Sequence, residues 1–218
     1  MKKRTATIAA TLVFGAVLVL SGCAATQTRT GTERGQTVSA TMETVETDIR
    51  LVVIGINSAG LHLAALINPN QKDSAQAFAS YSASVDALAQ SSEVYIEHSE
   101  RMGVEGRDYF DEWQVQGTRY VNPRIRALSD QRRRELSAVY ADIATTSVGV
   151  QGSLETHVST LQEIRTYFST DLTPRGVQVM TPLALDAIAD GHALAISFED
   201  VLGSISAVRY ELASSDVE

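Results

Sequence analysis

The stretch from Phe78 to Tyr120, FASYSASVDALAQSSEVYIEHSERMGVEGRDYFDEWQVQGTRY, decides the fold. Steps of alternately three and four residues from Phe78 land on Tyr81, Val85, Leu88, Ser92, Tyr95, Ser99, Met102, Gly106, Tyr109, Trp113, Gln116 and Tyr120. Nine of these thirteen positions are large apolar or aromatic residues, and the phase survives Gly103 and Gly106, where a loop would reset it. The pattern predicts one helix over about residues 72–121, with the glycines as its bending points. At 1.5 Å per residue it would run roughly 75 Å. A 3.5-residue spacing implies left-handed, coiled-coil-like packing against other helices.

Working outward, a helix over about 38–67 precedes it and ends at the turn signal Asn68-Pro69-Asn70. Its second half, Leu51-Val52-Val53-Ile54-Gly55-Ile56 and then Leu61 to Ile67, is apolar almost all round. Such a run suits either a helix buried on most sides or a membrane-inserting segment of about 17 residues, near the lower limit for a span. Asn57, Ser58 and His62 interrupt it and no aromatic flanks it, which favours burial. Downstream, Asn122-Pro123 reads as a cap and first helical position. A stripe follows through Ile125, Leu128, Leu136, Val139, Ile143, Val150, Leu154, Leu161, Ile164 and Phe168, broken by the segment from Asp171 to Gly176. Thr181-Pro182 is expected to open a fourth helix carrying Leu185, Ile188, Phe198, Val201, Leu202, Ile205, Val208 and Leu212. Four long helices with short connections predict an all-α chain, an elongated antiparallel four-helix bundle or coiled coil over 38–213, with a tail at 214–218.

The N-terminus carries a different message. Met1-Lys2-Lys3-Arg4 is a basic start, Ile8 to Leu20 is apolar, and Leu20-Ser21-Gly22-Cys23 follows. This is a secretory signal over 1–22 rather than a fold element. Its end resembles the bacterial lipoprotein box. The resemblance implies a thioether-linked diacylglycerol on Cys23, cleavage before it, and an acyl chain on the new amine. Three chains would hold the protein on a membrane far more firmly than one. Ala24-Ala25, with no Asp after the Cys, implies by the same resemblance the periplasmic face of the outer membrane in the bacterial cell envelope. Residues 23–37 are polar and small, and read as a tether.

Removal of Lys2, Lys3 and Arg4 with the signal leaves 15 basic against 26 acidic residues, a net charge of −11. No nucleic-acid partner is expected of such a chain. The sole Cys leaves no intrachain disulfide and no thiolate zinc site.

Phe110-Asp111-Glu112-Trp113, Tyr120-Val121-Asn122, the Arg132-Arg133-Arg134 triplet and Tyr140 carry a resemblance to a family of uncharacterised bacterial lipoproteins with long helices. The likeness extends over about residues 40–212, its specific part over 107–140. The chain departs from that family in having more Ala, Ser and Thr and less Lys and Glu, and in Pro123, where the family continues a helix. The resemblance implies an envelope location and brings no activity and no catalytic residue.

None of His62, His98, His157 and His192 has a Glu three residues before it, so the Glu-x-x-His signature of di-iron bundles is missing. Glu97-His98-Ser99-Glu100 puts two carboxylates beside a His, but adjacent residues diverge on a helix. No Gly-x-Ser-x-Gly elbow is present. No catalytic residue, no metal site and no cofactor beyond the lipid on Cys23 is expected. The one local reversal of charge lies between 119 and 134, where Arg119, Arg124, Arg126, Arg132, Arg133 and Arg134 face a single acid, Asp130. Arg suits bidentate contacts with phosphate, so Arg124, Arg126, Arg132, Arg133 and Arg134 form a candidate anion-binding patch. Pairing with acids such as Asp111 and Glu112 on neighbouring helices, or plain solvation, competes with that role. Trp113 on the seam reads as a core residue.

The expectation is therefore a non-enzymatic, lipid-anchored structural or interaction protein. It would be bound to the membrane through its lipid and partnered by an envelope protein or by itself. The alternative is a membrane-active or lipid-binding bundle that uses the 51–67 helix.

Overall fold

The computed structural model describes residues 31–213. Cys23, the signal segment before it and residues 214–218 lie outside the described residues. Four helices follow one another: α1 (Gly31–Leu66), α2 (Ser74–Gly117), α3 (Pro123–Thr170) and α4 (Pro174–Ala213). Each packs on the next and α4 returns onto α1, closing an all-α four-helix bundle.

Cross-helix contacts fix the directions. Arg34 at the start of α1 donates to Glu112 and, at 2.8 Å, to Gln116 near the end of α2. Arg165 late in α3 pairs with Asp86 early in α2. Arg132 early in α3 meets Glu211 late in α4 at 3.1 Å, and Arg209 of α4 grips Glu46 and Glu43 of α1 at 2.6 and 3.0 Å. All four neighbouring pairs are antiparallel, so the topology is up-down-up-down.

The core follows the heptad on every helix. In α1 it is Met42, Val45, Ile49, Val52, Ile56, Ala59, Leu63 and Leu66, again at steps of three and four. In α2 the seam from Tyr81 to Gly106 is buried as the periodicity predicts, and the helix runs unbroken through Gly103 and Gly106. At 44 residues it is roughly 66 Å long. Gly106 admits the Tyr140 ring, whose hydroxyl donates to the Met102 carbonyl. The Tyr81 hydroxyl donates to the Leu161 carbonyl at 2.8 Å, tying α2 to α3. Burial raises the pKa of both phenols. Every core residue among the described residues lies after the signal segment.

Four expectations need correction. First, α1 begins at Gly31, so residues 31–37 of the expected tether are helical, with Arg34 buried against α2. Tertiary contact there supplies what a polar sequence lacks in periodicity. Second, α4 begins at Pro174 rather than at Thr181-Pro182. Thr173 Oγ1 accepts the Gly176 N–H at 3.1 Å, an N-cap ahead of Pro at the first helical position. Pro182 then lies inside the helix on its exposed face, where water can serve the Gln178 carbonyl left without its usual donor.

Third, Ile125, Leu128, Val139 and Leu185 are exposed, and polar or small residues replace them on the seam: Tyr140, Ser147 and His157 in α3, Ala184, Ala187 and Gly191 in α4. Fourth, the 51–67 segment is buried on one face rather than on most sides. Val52, Ile56, Ala59, Leu63 and Leu66 are in the core, whereas Leu51, Ile54 and Leu61 face outward.

Candidate functional site

The six arginines gather at one end of the bundle, around the α2–α3 turn. The chain reverses there because α2 stops at Gly117 and Asn122 caps α3, its side chain accepting from the Arg124 N–H at 2.9 Å with Pro123 next. Beneath the turn lies an aromatic layer. Tyr109 meets Phe110 and Trp113 edge-on at 5.0 and 5.7 Å between ring centroids, and Phe110 meets Tyr140 at 5.6 Å. Trp113 is half-buried and donates to Ser129 Oγ at 3.0 Å, bracing the start of α3 against the end of α2. Phe110 and Trp113 of α2 and Tyr140 of α3 thus belong to one aromatic layer at this end.

The arginines divide by use. Arg126 donates to the Tyr120 carbonyl at 2.7 Å and to the Thr118 carbonyl at 3.3 Å, satisfying the end of α2. Arg132 is paired with Glu211, and Arg133 lies half-buried with its Nε unpartnered among the described residues. Arg119, Arg124 and Arg134 are exposed, and no described residue forms an ion pair with them. Internal pairing therefore takes part of the patch, but through Glu211. Glu112 is engaged by Arg34 instead. Between the free arginines stand exposed apolar side chains: Val121, 95% exposed, with Tyr120, Ile125 and Leu128. Among the described residues, the contacts of α1 and α4 nearest this turn are Arg34 with Gln116 and Arg132 with Glu211.

The histidines make no metal centre. His98 Nδ1 lies 2.6 Å from Asp48 Oδ2 across α1–α2, while Glu97 turns to Arg101 and Ser99 is buried. Among the described residues no three His, Cys, Asp or Glu come together as metal ligands. His157 is more unusual. Only 7% exposed, it separates a groove of about 550 Å³ between α3 and α4 from an apolar one of about 380 Å³ shared with α1. Gly191 leaves it room, since a Cβ there would stand 3.0 Å from its Cε1. Its seam position follows the heptad, but a polar residue there hid the pattern in the sequence.

Burial holds the His157 pKa below its ordinary value, with the Asp190 carboxylate pulling the other way. The unfolded chain thus binds that proton more readily than the folded one. Stability from this group is complete above about pH 6.5 and falls as the pH drops below it. His157→Leu is expected to flatten the fall in melting temperature between about pH 7.5 and about pH 5, read by circular dichroism. An equally steep fall in the variant would show that the group does not contribute.

Comparison with protein-family models, with curated proteins and with solved structures finds no match to this chain.

Proposed function

We propose that this protein is a lipid-anchored structural or interaction module of the bacterial cell envelope, held by acylated Cys23 and presenting its helical bundle to a protein partner. The observation that carries this reading is the outer face of the two most apolar helices. Stretches of α1 and α4 are apolar enough to cross a membrane, yet only 33% and 22% of those stretches is buried in the bundle. Leu61 borders the same groove as Ile188 and His192, and Ile54 lies two helical turns before Leu61. Leu185 and Ile196 stand one turn either side of Ile188 and His192, and both are exposed. An exposed, largely apolar face with the bundle seam behind it suits contact with another protein surface.

The alternative, a lipid-binding bundle that uses 51–67, draws on the same exposed Leu51, Ile54 and Leu61. The buried Val52, Ile56, Ala59, Leu63 and Leu66 weigh against it, because that half of the segment is already spent on the core.

The attachment is tested at Cys23. Cys23→Ser should abolish labelling by a fatty-acid analogue and release the protein from the membrane fraction or leave an unprocessed precursor; unchanged labelling would sink the reading. A photo-crosslinking residue at Ile54 or Leu61 in intact cells should capture a defined envelope protein or a second copy. Crosslinks to lipid alone would favour the alternative.

A further inference from the structure

We infer that the arginine-bearing tip at the α2–α3 turn is a membrane-docking surface that binds the phosphates of anionic lipid head groups in the bilayer. The inference rests on the proposed envelope role for the bilayer and for the lipid on Cys23, and three observations support it.

The first is charge. In a chain with more acids than bases, Arg119, Arg124 and Arg134 stand exposed at this end with no described ion pair. Anionic lipid draws in such residues, and guanidinium groups match phosphate bidentately. The second is the apolar wedge. Val121, Leu128, Ile125 and Tyr120 are exposed between those arginines around the α2–α3 turn. An apolar wedge flanked by cations is the chemistry of a bilayer interface, where the wedge enters the acyl boundary and the cations stay among head groups. A phosphorylated soluble ligand would need the cations and leave the wedge unused.

The third is position. Helix α1 starts at Gly31 beside this same end, since Arg34 reaches Glu112 and Gln116 and Gly35 borders Tyr109. Gly31 lies eight chain steps from Cys23, a reach of at most about 28 Å. A lipid on Cys23 therefore holds the tip, and not the 51–67 end of α1, against the membrane. With the tip down, the α1/α4 strip rises away from the bilayer, where a protein partner can reach it.

The test uses the chain from Ala24 onward, which contains every core residue among the described residues. It should co-sediment at low salt with vesicles of equimolar phosphatidylcholine and phosphatidylglycerol, and stay in the supernatant when the vesicles are of phosphatidylcholine alone. Arg119→Gln, Arg124→Gln and Arg134→Gln together should weaken binding about a hundredfold with an unchanged melting temperature. Val121→Asp should also weaken it, whereas Arg175→Gln at the opposite end of the bundle should not. Equal binding to both vesicle types, or wild-type binding by the triple variant, would overturn the proposal. So would retention on an anionic polysaccharide without vesicle binding, which would assign the patch to glycans. Failure of vesicle binding while fatty-acid labelling of Cys23 persists would remove the docking surface and leave the envelope anchor; the converse result would remove the anchor alone.

Discussion

Leu63→Glu should lower the melting temperature by roughly 10–15 °C, while Ile54→Asp on the same helix should barely move it. The apolar run from 51 to 67 offers no reason to treat the two positions differently. In the bundle Leu63 is fully buried on the seam of α1, whereas Ile54 is 63% exposed. A carboxylate at position 63 would lose its hydration with no cation on the seam beside it, at a cost of about 4 kcal/mol or more before protonation relieves it. For a domain of this size each kcal/mol shifts the midpoint by roughly 2–4 °C. The carboxyl would titrate with a raised pKa, so the destabilisation should grow as the pH rises and shrink in acid. At position 54 the charge stays in water, and the expected change is within about 0.5 kcal/mol. Thermal melts of both variants by circular dichroism decide the matter. Equal losses in the two would mean that α1 is buried on both faces.

Gly106→Ala should destabilise the bundle by about 2–3 kcal/mol, against the trend of helix propensity. In an open helix the same change would add about 1 kcal/mol of stability. Here a Cβ would fall deep inside van der Waals contact with the Tyr140 ring, which is buried on the α3 seam and packed by Phe110. The ring cannot swing aside without breaking the bond from its hydroxyl to the Met102 carbonyl. A double-mutant cycle isolates the clash. Tyr140→Ala alone leaves a cavity and is itself costly, but Gly106→Ala added to it should then be neutral or stabilising. If Gly106→Ala raises the melting temperature of the otherwise native chain, the close approach of α2 and α3 is wrong.

Helix existence and phase were legible in the sequence because both are local. The alternation of three and four steps from Phe78 to Gln116 survives into the structure, and Asn68-Pro69, Asn122-Pro123 and Asp171 to Pro174 mark all three turns. Capping and periodicity depend on residues within a turn or two of each other, so a linear reading reaches them. The start of α4 was missed because Pro182 looked like a first helical position, though Thr173-Pro174 is the better cap. The arginine cluster was visible as composition, but its division into free and engaged side chains was not. Arg132 depends on Glu211, 79 residues away, and Arg126 on carbonyls freed by the end of α2.

Burial belongs to the tertiary structure alone. Ile125 and Leu128 continue the apolar stripe of α3 yet are exposed beside the α2–α3 turn. Tyr140, Ser147 and His157 break the stripe in the sequence yet are buried, because the heptad brings them onto the seam and neighbours such as Gly106 and Gly191 make room. Local sequence determined that there are helices, where they turn, and which face of α2 is apolar. Which apolar residues leave water, and which arginines stay in it, depended on the surfaces that the neighbouring helices bring against them. Burial requires a partner surface at the same height, and only the assembled bundle supplies one.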